Sequence, residues 1–164
     1  MASDDGVAPV RRVIAGIDAS GRSVVLADTS SPHVHTLPGM PPSLALTDLW
    51  YVDGPVDPGA VADTADRELA VGPVTGGALF RVVQFPPDDE LPRNEDGDPA
   101  LFWHATDTVD FNVVLQGRLV LLVETGSVEL GVGDTFVVRG GRHAFSNPGP
   151  APAVLAATAV GVTR

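Results

Sequence analysis

Short apolar and β-branched runs, each closed by Gly, Pro, Asn or Asp, recur along this chain and predict strands joined by turns. Residues 10–27, VRRVIAGIDASGRSVVLA, form two such runs around the turn residues Asp18 to Gly21, which reads as a hairpin. The next stretch, 31–43, holds four prolines, so it is neither a central strand nor a helix interior. A short strand is expected from Thr47 to Val52. Residues 53–77 read as a long flexible connection with one helical turn around Val61 to Ala70, and ALFRVVQF at 78–85 resumes strand character. The acidic stretch at 86–100 is expected to stay out of any core. Beyond it FNVVLQG, RLVLLVE, SVELGVG, DTFVVRGG and AVLAATAVGV follow at intervals of about ten residues, the rhythm of an all-β sandwich or barrel. The expected organisation is an N-terminal arm with its hairpin packed on the barrel (1–52), the connection (53–77) and the barrel itself (78–164).

Composition narrows the chemistry. With 164 residues one core is the economical expectation, and Gly 18 with Pro 15 disfavours helical bundles. Cysteine is absent, which removes thiol nucleophiles, thiolate zinc and iron–sulfur clusters. Lysine is absent as well, all ten cations being Arg, which removes Schiff-base chemistry. Any metal must therefore use His, Asp or Glu. A net charge of −11 opposes nucleic acid as a partner. No apolar run reaches the 18 or so residues of a membrane span, and the start MASDDGVAPV lacks a basic or hydrophobic leader pattern. A soluble, cytoplasmic protein without a membrane partner is the expectation.

Four histidines carry the candidate chemistry: His33, His35, His104 and His143. His104 opens HATDTVDFNVVLQG, where Thr106, Thr108 and Asp110 follow at even spacing and share its face on an unbroken strand. His143 restarts a strand within GDTFVVRGGRHAFSN. His33 and His35 form a His-x-His pair, but their proline-rich surroundings supply no third ligand and a surface loop is the default reading.

The stretches around His104 and His143 resemble the two motifs of the cupin superfamily. The first reads His104-x-Thr106, three residues, Asp110, six residues, Gly117, and the second reads Gly133, five residues, Arg139-Gly140-Gly141, Arg142, His143, three residues, Asn147. Between Gly117 and Gly133 lie 15 residues, the short spacer of single-domain microbial cupins. Thr106 stands where the family has its second histidine, Asp110 replaces Glu and Arg139 replaces Pro. The phrases TDTVD, RGGRHAFSN, LPGMP and LTDLW are similar to a narrower group, the VirC/OryJ-like monocupins found beside natural-product genes.

The resemblance implies an antiparallel jelly-roll barrel of the RmlC-like cupin type with an N-terminal β-hairpin arm. It implies one divalent metal (Zn, Fe, Ni or Mn) on His104, Asp110 and His143, with Asp110 either a direct ligand or the orienting partner of a histidine. Thr106, Arg142 and Phe145 are the candidate substrate-binding residues, and no catalytic residue is assigned. The expected function is a small metal-dependent enzyme acting on an apolar, oxygenated molecule, polyketide-like or aromatic, by proton abstraction with dehydration, isomerisation or cyclisation. An iron-dependent dioxygenase and a non-catalytic module that binds a small ligand or metal remain open beside it. A homodimer is expected, because the apolar arm can add to a sheet edge.

Overall fold

The computed structural model describes residues 6–54 and 62–163. It begins with the expected hairpin, β1 (Arg11–Ile17) paired to β2 (Ser23–Ser30). Asp18 builds the reversal, its Oδ1 accepting the amides of Ser20 and Arg22, and Gly21 takes φ +80°, a region closed to most side chains.

Six further strands form one antiparallel sheet: β3 (Val34–Thr36), β4 (Ala45–Val52), β5 (Ala78–Phe85), β6 (Thr108–Gln116), β9 (Thr135–Arg139) and β11 (Ala153–Gly161), ordered β3-β4-β5-β11-β6-β9. The proline-rich stretch supplies only β3, a three-residue edge strand, as its missing amide donors require. β3 and β4, which the sequence assigns to the arm, are strands of this sheet. Three more strands, β7 (Arg118–Val123), β8 (Gly126–Gly131) and β10 (His143–Ser146), form a second sheet ordered β10-β7-β8. The two sheets enclose Leu119, Ala153 and Leu155, with Phe85, Phe136 and Phe145 packed against them. Each buried Leu or Phe contributes about 1.5–3 kcal/mol. The molecule is an all-β antiparallel jelly-roll barrel carrying an N-terminal hairpin arm.

Two local expectations need correction. The helical turn around Val61–Ala70 is not formed within 62–70: Asp63 Oδ1 accepts the Ala65 amide, a side-chain turn that competes with helix. The stretch 86–100 is not wholly outside the core, because Pro86 is fully buried and Asp88 is half-buried. Asp88 is tolerated there because its carboxylate accepts the Ser146 hydroxyl at 2.5 Å and the Asn147 amide at 2.8 Å. A 3-10 turn at Asp88–Glu90 is the only helical element among the described residues.

Of the 53–77 connection, 55–61 lie outside the described residues, and 62–77 rest on the barrel. Arg12 grips Asp63 through Nη1 at 2.9 Å and Nη2 at 2.6 Å, and Ala65 is fully buried. The Val74 amide donates to the Tyr51 hydroxyl at 3.2 Å, and Gly161 donates to the Gly77 carbonyl at 2.9 Å. Only glycine fits at 161, since a Cβ there would collide with the Val74 carbonyl oxygen. No helix among the described residues is long and apolar enough to cross a membrane.

Candidate functional site

β6 runs with its polarity reversed, and β5 turns one charge inward. On β6 the inward positions are Thr108, Asp110, Asn112 and Val114, while Phe111 and Leu115 are 52% and 49% exposed. On β5 Arg81 is 6% exposed and its neighbour Phe80 is 43% exposed. Charged and amide side chains turned inward at Arg81, Asp110 and Asn112 give the interior a polar patch that a plain hydrophobic core lacks.

The inward residues open on a cavity of about 140 Å³. Its walls are largely apolar, with Leu37, Met40, Leu44 and Leu46 from the 31–52 region, Leu69 and Val71 from the connection, and Leu79, Val83, Phe85, Phe145 and Leu155 from the barrel. Its polar lining comprises Arg81, Asp88, His104, Thr106, Asp110, Asn112, His143 and Asn147. The sequence reading missed Arg81, Asn112 and Asp88. A single cation inside an apolar alternating run, ALFRVVQF, and an Asn two residues beyond Asp110 were the available signals.

His104 and His143 meet across an isolated antiparallel bridge, their backbones exchanging bonds of 3.0 and 2.9 Å and their ring centroids 4.4 Å apart. The strand from Thr108 does not extend back to His104, so this bridge, rather than an unbroken β6, brings the histidine to the site. His104 Nδ1 bonds the Phe102 carbonyl at 3.1 Å and His143 Nδ1 bonds the Gly141 carbonyl at 2.9 Å. A carbonyl only accepts, so each Nδ1 carries a hydrogen, and in the neutral form of either ring Nε2 is the nitrogen with the lone pair. Burial lowers the pKa of His104 below its ordinary value, and the neighbouring His143 adds to that; the Phe102 carbonyl and Asp110 oppose it. The neutral imidazole is thereby favoured. Among the described residues Asp110 Oδ1 is buried without a hydrogen-bond partner, an arrangement that costs free energy unless something completes it.

The other expected residues divide. Thr106 lines the cavity, its hydroxyl 2.6 Å from that of Thr108, and Phe145 lies edge-on to His143 at 5.5 Å. Arg142 is outside the lining and stacks over Trp103 at 5.1 Å. His33 and His35 do not converge: His33 Nε2 lies 3.0 Å from Asp63, and His35 Nε2 lies 3.4 Å from Asp48 Oδ2, without hydrogen-bond geometry.

Residues 85–160, which carry both histidines and the orphaned carboxylate, match the Cupin_2 cupin-domain family. They are a cupin domain. The cupin chain is 41% identical over 76 residues to the oryzines biosynthesis cluster protein J of Aspergillus oryzae, a match covering 46% of this chain and 37% of that protein's length. Among solved structures, it is similar to the ethanolamine utilization protein Q of Salmonella typhimurium, with a TM-score of 0.50 at 14% identity over 95% of this chain and 99% of the other. An RmlC-like cupin from Shewanella frigidimarina matches 77% of this chain and 80% of its own at a TM-score of 0.45 and 14% identity. The Salmonella structure bears on the fold alone.

Among the described residues, no group of three or more His, Asp or Glu side chains is already arranged to hold a metal ion. The donors nevertheless suit one in kind: two imidazole nitrogens held ready by backbone carbonyls, and a carboxylate oxygen with nothing bound to it.

Proposed function

We propose that this cupin binds a small, mostly apolar, oxygen-bearing molecule in the cavity and acts on it at the His104–His143–Asp110 end. The observation that carries the reading is the pair of imidazoles with Nδ1 held by carbonyls, beside the partnerless Asp110 Oδ1, in an otherwise apolar chamber. A divalent metal, Zn, Fe, Ni or Mn, would be held by Nε2 of His104 and His143 with Asp110, and would supply Lewis-acid polarisation of a ligand carbonyl. The chain's own contribution is to hold the ligand body between the leucine and phenylalanine walls, to exclude water, and to offer Asn112 and Thr106 to its oxygens. Asp110 either completes the metal set or accepts the proton from the carbon next to the carbonyl, the step shared by dehydration, isomerisation and cyclisation. The oryzine-cluster relative supports a substrate of the natural-product kind, polyketide-like or aromatic.

Elemental analysis of protein purified without a histidine tag tests this. A bound divalent metal is expected, lost in His104→Ala and in His143→Ala. Asp110→Asn should weaken binding by about 10- to 100-fold if Asp110 only orients a histidine, and by more if it is a ligand. Iron in the protein would favour oxygen chemistry. No uptake at neutral pH, or a His104→Ala protein that binds as tightly as wild type, would leave the second reading: a binding module without turnover, which the lack of a ready three-donor group among the described residues favours.

The same cupin is proposed to be a homodimer. Val13 and Val25 of the hairpin are 52% and 66% exposed, and Phe80, Phe111 and Val137 stand uncovered on the outer face of the large sheet. A second copy offers an apolar surface to each of these.

A further inference from the structure

Arg81 has no part in the chemistry above, yet it is a buried cation in the wall of the cavity. It sits in a row across four strands, Asp48 on β4, Arg81 on β5, Ala157 on β11 and Asn112 on β6. Arg81 Nε donates to Asp48 Oδ1 at 2.8 Å, and Nη2 stands 2.8 Å from the same oxygen while donating to the Ala70 carbonyl at 2.9 Å. Among the described residues Nη1 has no hydrogen-bond partner and is not one of the polar atoms sealed from solvent, and Arg81 lines the cavity. The neighbour on the same face, Ala157, carries only a methyl group and leaves space in front of it.

Two features decide what this nitrogen can take. Nη2 belongs to both donor edges with which an arginine grips a carboxylate in parallel, and it already donates to the Ala70 carbonyl and stands in ion-pair contact with Asp48. The remaining donor is therefore a single nitrogen. Asp48, 1% exposed, already balances the guanidinium charge, and the other two charged groups in the lining, Asp88 and Asp110, are both acidic. A carboxylate arriving here would meet a spent cation and an acidic chamber.

We propose that Arg81 Nη1 is a subsite for one neutral carbonyl oxygen of the ligand, so that the cavity selects an uncharged ketone- or aldehyde-type molecule over the corresponding acid. This rests on the cavity being the ligand site, and it adds a second oxygen contact apart from the histidine end.

Ethylbenzene, acetophenone and benzoate share one ring and differ in the oxygen they present, and NMR titration of the full chain with each separates the possibilities. Acetophenone is expected to bind at least about tenfold more tightly than either of the others. In Arg81→Lys, whose single ammonium is taken up by Asp48, acetophenone should fall to the level of ethylbenzene. The double variant Asp48→Asn/Arg81→Met should behave alike with neither charge of the pair left; circular dichroism checks the fold of each, and either folded variant suffices. Acetophenone affinity unchanged in the variants, or benzoate binding as tightly as acetophenone, would overturn the assignment while leaving the cavity as a ligand site. If wild type binds neither acetophenone nor ethylbenzene, the ligand-cavity reading itself fails and the subsite with it.

Discussion

Asp48 sits at 1% exposure with Arg81 as its ion-pair partner, and its removal leaves a guanidinium in the wall without a counter-charge. Asp48→Ala is expected to lower stability by about 3–5 kcal/mol, read from urea denaturation, whereas Asp48→Asn/Arg81→Met should recover most of the loss because neither charge remains. No motif announces this pair: Asp48 and Arg81 are 33 residues apart, and only the β4–β5 register joins them. His104 and His143 were legible because each is embedded in a spaced pattern of Gly, Asp and Asn that survives as sequence. Arg142 is the contrasting case. Adjacency to His143 suggests a clamp on the ligand, whereas in the fold Arg142 precedes β10, lies outside the cavity lining and stacks over the Trp103 ring.

At the level of elements, the strands from β5 onward were readable from alternation and turn residues. On β6 the even positions Thr108 and Asp110, read as the site face, do line the interior side, and Phe111 and Leu115 point outward in consequence. β11 answers this with alanines at 157 and 159, opposite Asn112 and Asp110, which keep the chamber open. Ala157→Leu should fill the space before Arg81 and abolish acetophenone binding in the same NMR titration while leaving the circular dichroism spectrum unchanged. The hairpin is tied to the connection through Arg12 and Asp63. The Arg12 guanidinium holds the Asp63 carboxyl well below the usual carboxylate range; burial opposes this, and His33 and the Ala65 amide assist it. A carboxyl depressed in the folded state stabilises above its unfolded pKa of about 3.9 and ceases to do so as it takes up its proton at lower pH. Thermal melting temperature should therefore fall as pH drops below about 4. Asp63→Asn should melt lower than wild type at pH 7 and lose part of that acid sensitivity.

For the whole molecule, the apolar residues turned outward by β5 and β6 set an expectation about assembly. Light scattering at micromolar concentration should report a dimer, and Phe80→Asp/Phe111→Asp should shift it to monomer, since a charge in an apolar contact is left unpaired. Monomeric wild type would count against the covered-face reading.

The cavity's two kinds of lining come from different places. Arg81, Asp110 and Asn112 are fixed by strands and the imidazoles by the His104–His143 bridge, while Leu69 and Val71 arrive on a connection fastened outside the chamber through Asp63 and Val74 and at the wall by the bond from Arg81 to the Ala70 carbonyl. A change in the length or shape of this shelf therefore pulls on Arg81, so the apolar cover and the polar wall are mechanically joined at one hydrogen bond.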